Sequence, residues 1–308
     1  MMKKHWKLLL LCVAIVTIMC ALCFSLNAVN YSGKCGGEGD GSNITWSFDT
    51  NTGLLKFEGT GKMANYGPDG NLLCPWHRHA NDILSVEIGD GITTIASCAF
   101  YNCRNITSAV IPEGVTTIGD SAFSACDNLK EIYIPSTVAR IGTRTFSLNI
   151  GLEKITVSEN NPVFHSDGNC IIETATKTLL SGCNTSVIPT DGSVTAIGDW
   201  AFSGCKKLSS IVIPDCITSI GENPFVFCDN LSTVIFGEGT TTYYNRDLNC
   251  FISTNESKLI AICKNGVIPT DGSVTTIGAR ALSYAPIPSI NIPSAIANRC
   301  GCFLGQQF

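Results

Sequence analysis

Apolar residues recur along this chain in steps of 23. Ile88, Ile111, Ile134 and Val157 each end an alternating apolar stretch, and similar positions return at Ile188, Ile213, Phe236, Ile268 and Ile292. Such a stretch reads as a short β-strand whose alternate side chains face opposite sides. Residues 111–134, IPEGVTTIGDSAFSACDNLKEIYI, carry the whole pattern, with Ile118, Ala122, Phe123, Cys126, Leu129, Ile132 and Ile134 as its apolar skeleton. The skeleton returns as IGDWAFSGCKKLSSIVI (197–213) and, more loosely, as IGENPFVFCDNLSTVIF (220–236). Proline often follows the strand, where its missing N–H ends pairing. An Ile-Gly pair then opens the return path, and close packing of the next turn is the reason for the glycine. Asp120 and Asp199 are placed to cap a short helical or 3₁₀ turn carrying SAF or WAF.

A repeat of this length is the sequence form of a leucine-rich-repeat coil, in which no turn buries its apolar edge alone and turns must stack. The expected fold is an α/β repeat solenoid. A parallel β-sheet forms one face and short helical or 3₁₀ turns form the other.

Two turns carry long insertions, near 162–186 and 237–266. Within them Cys170 and Cys250, Thr174 and Thr254, Leu179 and Leu259, and Cys183 and Cys263 correspond at a spacing of 80 residues. Each reads as two short strands around a polar turn, a β-hairpin. VIPTDGSVTAIG (187–198) and VIPTDGSVTTIG (267–278) then differ at a single position. A whole block of coil, hairpin and connector is written twice, which is architecture and not a catalytic loop.

The first 28 residues stand apart. A basic start, MMKKHWK, precedes an apolar run at 8–26, the layout of an export signal. At 1.5 Å per residue that run also approaches a bilayer core, so cleaved signal and retained anchor both remain open. Either places the remainder outside the cytoplasm, secreted or on the cell surface. Residues 29–82 read as a small β module. ITWSFDTNTGLLKFEGTG alternates apolar and polar around an Asn-Thr-Gly turn and is placed to cover the open first rung. Residues 83–308 form the coil. Its pattern stops inside a repeat after INIP (290–293), which reads as a truncated C-terminus.

The net charge is −5 and 15% of residues are charged, which gives no basic patch for nucleic acid. Seventeen cysteines are present. Cys103, Cys126, Cys205 and Cys228 recur in one phase, and Asn149 takes the same place, so they are expected to be free buried thiols. Zinc would need paired clusters, and neither CPWHRH (Cys74, His77, His79) nor CGC (Cys300, Cys302) has a partner at suitable spacing. No metal, cofactor or catalytic residue is assigned. Five glycosylation sequons, at Asn43, Asn105, Asn184, Asn230 and Asn255, would matter only in a eukaryotic secretory path.

IPEGVTTIGDSAFSACDNLKEIYIP closely resembles the BspA-type leucine-rich repeats of many surface proteins of host-associated microbes, over about residues 83–293. The block 35–76 also resembles the segment that often precedes such repeats, through Trp46, Leu55, Phe57, Gly59, Gly61, Met63, Pro75 and Trp76. The resemblance implies adhesion or macromolecular binding, to a protein or glycan on a host or neighbouring cell, and carries no named binding residues. The outward strand positions give the candidate surface: Val110, Tyr133, Thr156, Val187, Val212, Ile235 and Val267, with Glu87 and Asn291 at its ends. Two readings stand, ordinary β-propensity and an apolar recognition face. A structural role without a specific ligand is the alternative function.

Overall fold

The computed structural model describes residues 30–66, 74–244, 248–278, 281, 282, 292 and 296. The export segment at 1–28, Cys300, Cys302 and the C-terminal end lie outside them. Successive coils stack in parallel at the step read from the sequence: Glu131 pairs with Lys154, Ser85 with Ser108, and Ser210 with Thr233. Each coil contributes to two ladders. One contains the apolar strands, such as Glu131–Ile134 and Lys154–Val157. The other contains the Thr-Ile steps, where Thr94, Thr117 and Arg140 pair in turn.

At the N-terminal side three antiparallel strands, Asn30–Lys34, Ile44–Asp49 and Leu54–Gly59, join the stack. Leu54–Gly59 runs parallel to Ser85–Ile88 and occupies the open edge of that first coil strand. Ile44, Trp46 and Phe48 are buried and alternate with exposed Thr45 and Ser47, as a strand with one wet face requires. Gly53 takes a φ of +68° at the hairpin turn. Trp76 is fully buried, edge-on to Trp46, Phe57 and Tyr66, and its indole N–H donates to the Ala99 carbonyl at 2.7 Å.

The return path is not helical. Among the described residues the one 3₁₀ segment is His77–His79, and the SAF and WAF stretches are successive tight turns. Every fourth residue there has positive φ, as in the pairs Cys98 and Asn102, and Ser121 and Ala125. The cause is a division of backbone donors. Every second N–H crosses to the next coil, as Ser121 to Thr143, Phe123 to Thr145 and Ala125 to Ser147 at 2.9–3.0 Å, while intervening ones close local turns, as Ser124 to Ser121 at 3.1 Å. A helix would take all the donors for itself and leave the coils unjoined. Asp120 and Asp199 follow the same logic and do not cap their own turn. Their Oδ1 atoms accept from the Thr143 and Glu222 N–H groups of the next coil at 2.7 and 2.6 Å.

The Ile-Gly glycines answer to packing. A Cβ on Gly142 would lie 2.5 Å from the Asp120 nitrogen, and one on Gly221 2.7 Å from that of Asp199. Gly221→Ala is expected to lower stability by about 1–3 kcal/mol through overpacking, read from urea unfolding. A neutral result would mean the coils can part at no cost.

Both insertions contain three strands and not the expected two. Phe164–Asp167, Cys170–Glu173 and Thr178–Ser181 form an antiparallel meander, and the last of these pairs in parallel with Ala196–Ile197. Tyr243–Tyr244, Cys250–Ser253 and Lys258–Ile262 repeat this before Thr276–Ile277. Even the register shift at Ile171/Ile172 recurs at Phe251/Ile252. In both copies the step into the Thr-Ile ladder is shortened, from Thr178 to Ala196 and from Lys258 to Thr276. The repeated connector supplies an Asp-Gly turn in which Asp191 accepts from Ser193 N–H and Asp271 from Ser273 N–H at 2.9 and 3.0 Å.

The insertion at 164–181 also breaks the return path. One backbone hydrogen bond joins the coil ending at Asn149 directly to the coil at 198–205, from Leu148 N–H to the Ser203 carbonyl at 2.8 Å. The Ala201 carbonyl, which by phase would receive Phe146, receives Gly182 instead. Gly182 lies against the Phe202 ring, where a Cβ would clash. The buried core divides at the same place, with Ile171 in the first cluster and Ile172 in the second.

Candidate functional site

Val110, Tyr133, Val187, Val212, Ile235 and Val267 are 48–69% exposed, and among the described residues the other exposed large apolar side chains are Leu84 and Tyr101, at 46% and 43%. The alternation that buries Ile132 and Ile134 turns Tyr133 outward, and the same holds for Val212 between Ile211 and Ile213. Thr156 is half-buried. Tyr133 stands beside Thr156 in register, Val212 beside Ile235, and Glu87 beside Val110.

The row is not carried by one continuous sheet. These pairs lie in three separate sheets, and Val187 and Val267 lie on connectors outside any strand. Val187 N–H bonds the hairpin turn at Gly168, 2.9 Å away, because the meander has displaced its neighbouring strand. Asn291 lies outside the described residues. Exposed ion pairs flank the row, Lys154 with Glu131 at 3.5 Å and Lys56 with Glu87 at 3.2 Å, giving an apolar line with a charged border.

The phased cysteines are buried. The Cys126 thiol donates to the Phe100 carbonyl at 3.3 Å and that of Cys228 to Phe202 at 3.0 Å. Asn149 serves the same ladder by accepting from Cys126 N–H at 2.7 Å. Burial raises the Cys103 and Cys126 thiols well above the ordinary value and holds those of Cys74, Cys170 and Cys250 at about 12. Protonated thiols of this kind are poor nucleophiles and poor metal ligands.

Two of the histidines, His79 and His165, have structural partners. His79 packs on Tyr31 and Phe48 at ring distances of 4.1 and 5.1 Å, and its Nε2 accepts from Arg78 Nε at 3.1 Å. Burial first, and then Arg78, push its pKa down, in keeping with the neutral ring. His165 Nδ1 lies 2.9 Å from Thr174 Oγ1. No group of three or more His, Cys, Asp or Glu among the described residues is arranged to hold a metal ion. Four sequon asparagines are also committed to the fold. The amides of Asn43, Asn105, Asn184 and Asn230 donate to the carbonyls of Thr60, Asn81, Leu152 and Lys206 at 2.7–2.9 Å. Sequence reasoning had no signal for the Arg144 guanidinium lying 3.7 Å over the Trp200 ring, since those residues meet only across the coil break.

No curated protein matches the chain. Among solved structures, a leucine-rich repeat protein from Eubacterium ventriosum is 21% identical, with 87% of this chain and 92% of that chain covered and a TM-score of 0.38. A leucine rich cell surface protein from Faecalibacterium prausnitzii is 20% identical over 84% and 89%, TM-score 0.43. The pneumococcal vaccine antigen PcpA is 14% identical over 86% and 83%, TM-score 0.49. A family model described as the BspA type leucine rich repeat region matches six copies over residues 78–176 and 173–303. With the 23-residue register, the Ile-Gly packing and the Cys/Asn ladder all falling inside that match, the chain belongs to the BspA-type leucine-rich-repeat family.

Proposed function

We propose that this chain is an exported, non-enzymatic binding protein of the cell surface, a solenoid that presents its outward strand row to a protein or glycan on another cell or its matrix. The observation that carries the reading is the concentration of exposed large apolar side chains in that row. Water-exposed apolar residues gathered in one line are costly to keep unless a partner covers them. Tyr133 is the anchor of choice, because aromatic side chains dominate interface hot spots. The structural employment of His79 and His165 supports a non-enzymatic reading. The basic and apolar start of the chain supports export, by cleavage after it or by anchoring through 8–26. No helix among the described residues is long and apolar enough to cross a membrane. The strands at 30–59 would serve as the cap of the stack.

The test is a triple variant, Tyr133→Ala with Val212→Ser and Ile235→Ser, assayed on arrays of extracellular-matrix proteins and glycans. Affinity for any captured ligand should fall at least about tenfold, or 1.4 kcal/mol, with the melting temperature nearly unchanged. A folded variant that binds as the parent does would leave the row as ordinary β-surface. Failure of both proteins to bind anything would favour a scaffold role. Protease shaving of intact cells tests the location, and a chain found only in the cytosol would contradict it.

A further inference from the structure

The coil break leaves a cleft of about 410 Å³ lined by Gly142, Arg144, Phe146, Ser181, Asp199 and Trp200, among others. It shares no residue with the outward row. Its walls are the edges of two coils that meet at Leu148 and Ser203, and the meander strand at 178–181 closes one side. In the preceding coil Ser121 and Phe123 donate to the Thr143 and Thr145 carbonyls at 2.9 and 3.0 Å. Arg144 and Phe146 hold the same positions one coil later, yet neither N–H has a backbone partner, whereas Leu148 keeps its own. The opposite wall is deprived in a matching way. Asp120, Thr143 and Glu222 accept at their carbonyls from the coil before, and the equivalent carbonyl of Asp199 accepts nothing from it. Donors two residues apart therefore face an acceptor across a gap where a return path has been left out.

We propose that this cleft binds an extended peptide segment of a partner protein, which enters as the missing return path. A peptide offers carbonyls at the spacing of the Arg144 and Phe146 donors and an N–H for the Asp199 carbonyl, completing the ladder. An anion supplies acceptors alone and would leave Asp199 unmatched. The volume lies within the ~300–1,000 Å³ usual for ligand sites. Gly142 and Gly198 add no side chains to the lining, their own close packing being against Asp120 and Leu179. The Arg144 guanidinium stacked on the Trp200 ring gives a flat flank against which an apolar side chain of the segment can rest.

The probe is a synthetic heptapeptide, Gly-Asp-Ser-Ala-Phe-Ser-Ala with blocked ends, which reproduces the stretch 119–125 that stacks at this position in an ordinary coil. Residue-resolved hydrogen exchange by NMR reads the site directly. In the free protein the amides of Arg144 and Phe146 should exchange far faster than those of Ser121 and Phe123. Millimolar peptide should slow both by about tenfold or more. Ser219→Trp, an exposed position on the rim, should abolish that slowing while the melting temperature holds. If that variant does not fold, Thr143→Trp replaces it. Equal protection of the four amides in the free protein would overturn the proposal, as would exchange indifferent to peptide. Protection by sodium glucuronate equal to that by the peptide would also overturn it, in favour of an anion site.

Discussion

Phe202→Ala is expected to remove about 3–5 kcal/mol of folding stability, about a fifth or more of what a domain commonly possesses. Phe202 is fully buried and stacked 5.2 Å from Phe225, which in turn stacks 4.5 Å from Phe251. On its other side lies Gly182, with no side chain to relax into the space. The cavity would therefore stay open, and the loss of burial would not be recovered. Because coils touch mainly their neighbours, hydrogen exchange should quicken over 186–236 before it changes near residue 90. Exchange that rises evenly along the chain would contradict a stack of locally bonded coils.

Alkaline unfolding is the second large effect. An ordinary thiol has a value of 9.0, whereas Cys74, Cys170 and Cys250 are held at about 12 by burial. Above pH 9 the unfolded chain releases these protons and the folded chain keeps them. The stabilisation is thus whole below pH 9 and is lost as pH rises from there towards 12. At pH 10 the loss is about 1.4 kcal/mol per thiol, or about 4 kcal/mol for the three. Cys103, Cys205 and Cys263, raised well above 9.0, add to it. Urea midpoints under reducing conditions should fall steeply between pH 9 and 10, and less so in Cys170→Ala. A flat profile would mean that these sulfurs are exposed or joined as disulfides, which do not titrate.

Much of this architecture is legible in the amino-acid sequence. The 23-residue period dictates register, because stacked coils must place like residues on like residues, and Glu131 does pair with Lys154. Period-two alternation within each strand decided which side chains face out, so Tyr133, Val212 and Ile235 are exposed and Ile132 and Ile211 are not. The phase shared by Cys126, Cys228 and Asn149 signalled a buried ladder, and it is one. The repeated Gly after Ile signalled close approach without positive φ, which Gly142 and Gly221 show.

Other features were decided only by the assembled stack. Whether the SAF stretch coils into a helix depends on where its N–H groups find acceptors, and those acceptors belong to the next coil. The same competition turned Asp120 and Asp199 from local caps into links between coils. The third strand of each insertion, Phe164–Asp167 or Tyr243–Tyr244, carries too short a pattern to declare itself and forms because a neighbouring edge is there to receive it. The outward row was readable residue by residue, but the break between its second and third sheets follows from the meander that displaces Val187. The meeting of Arg144 with Trp200 has the same origin, since an inserted strand sets their separation and no local periodicity encodes it. Periodicity specifies what each coil offers its neighbour, and only the stack determines which neighbour is present to accept it.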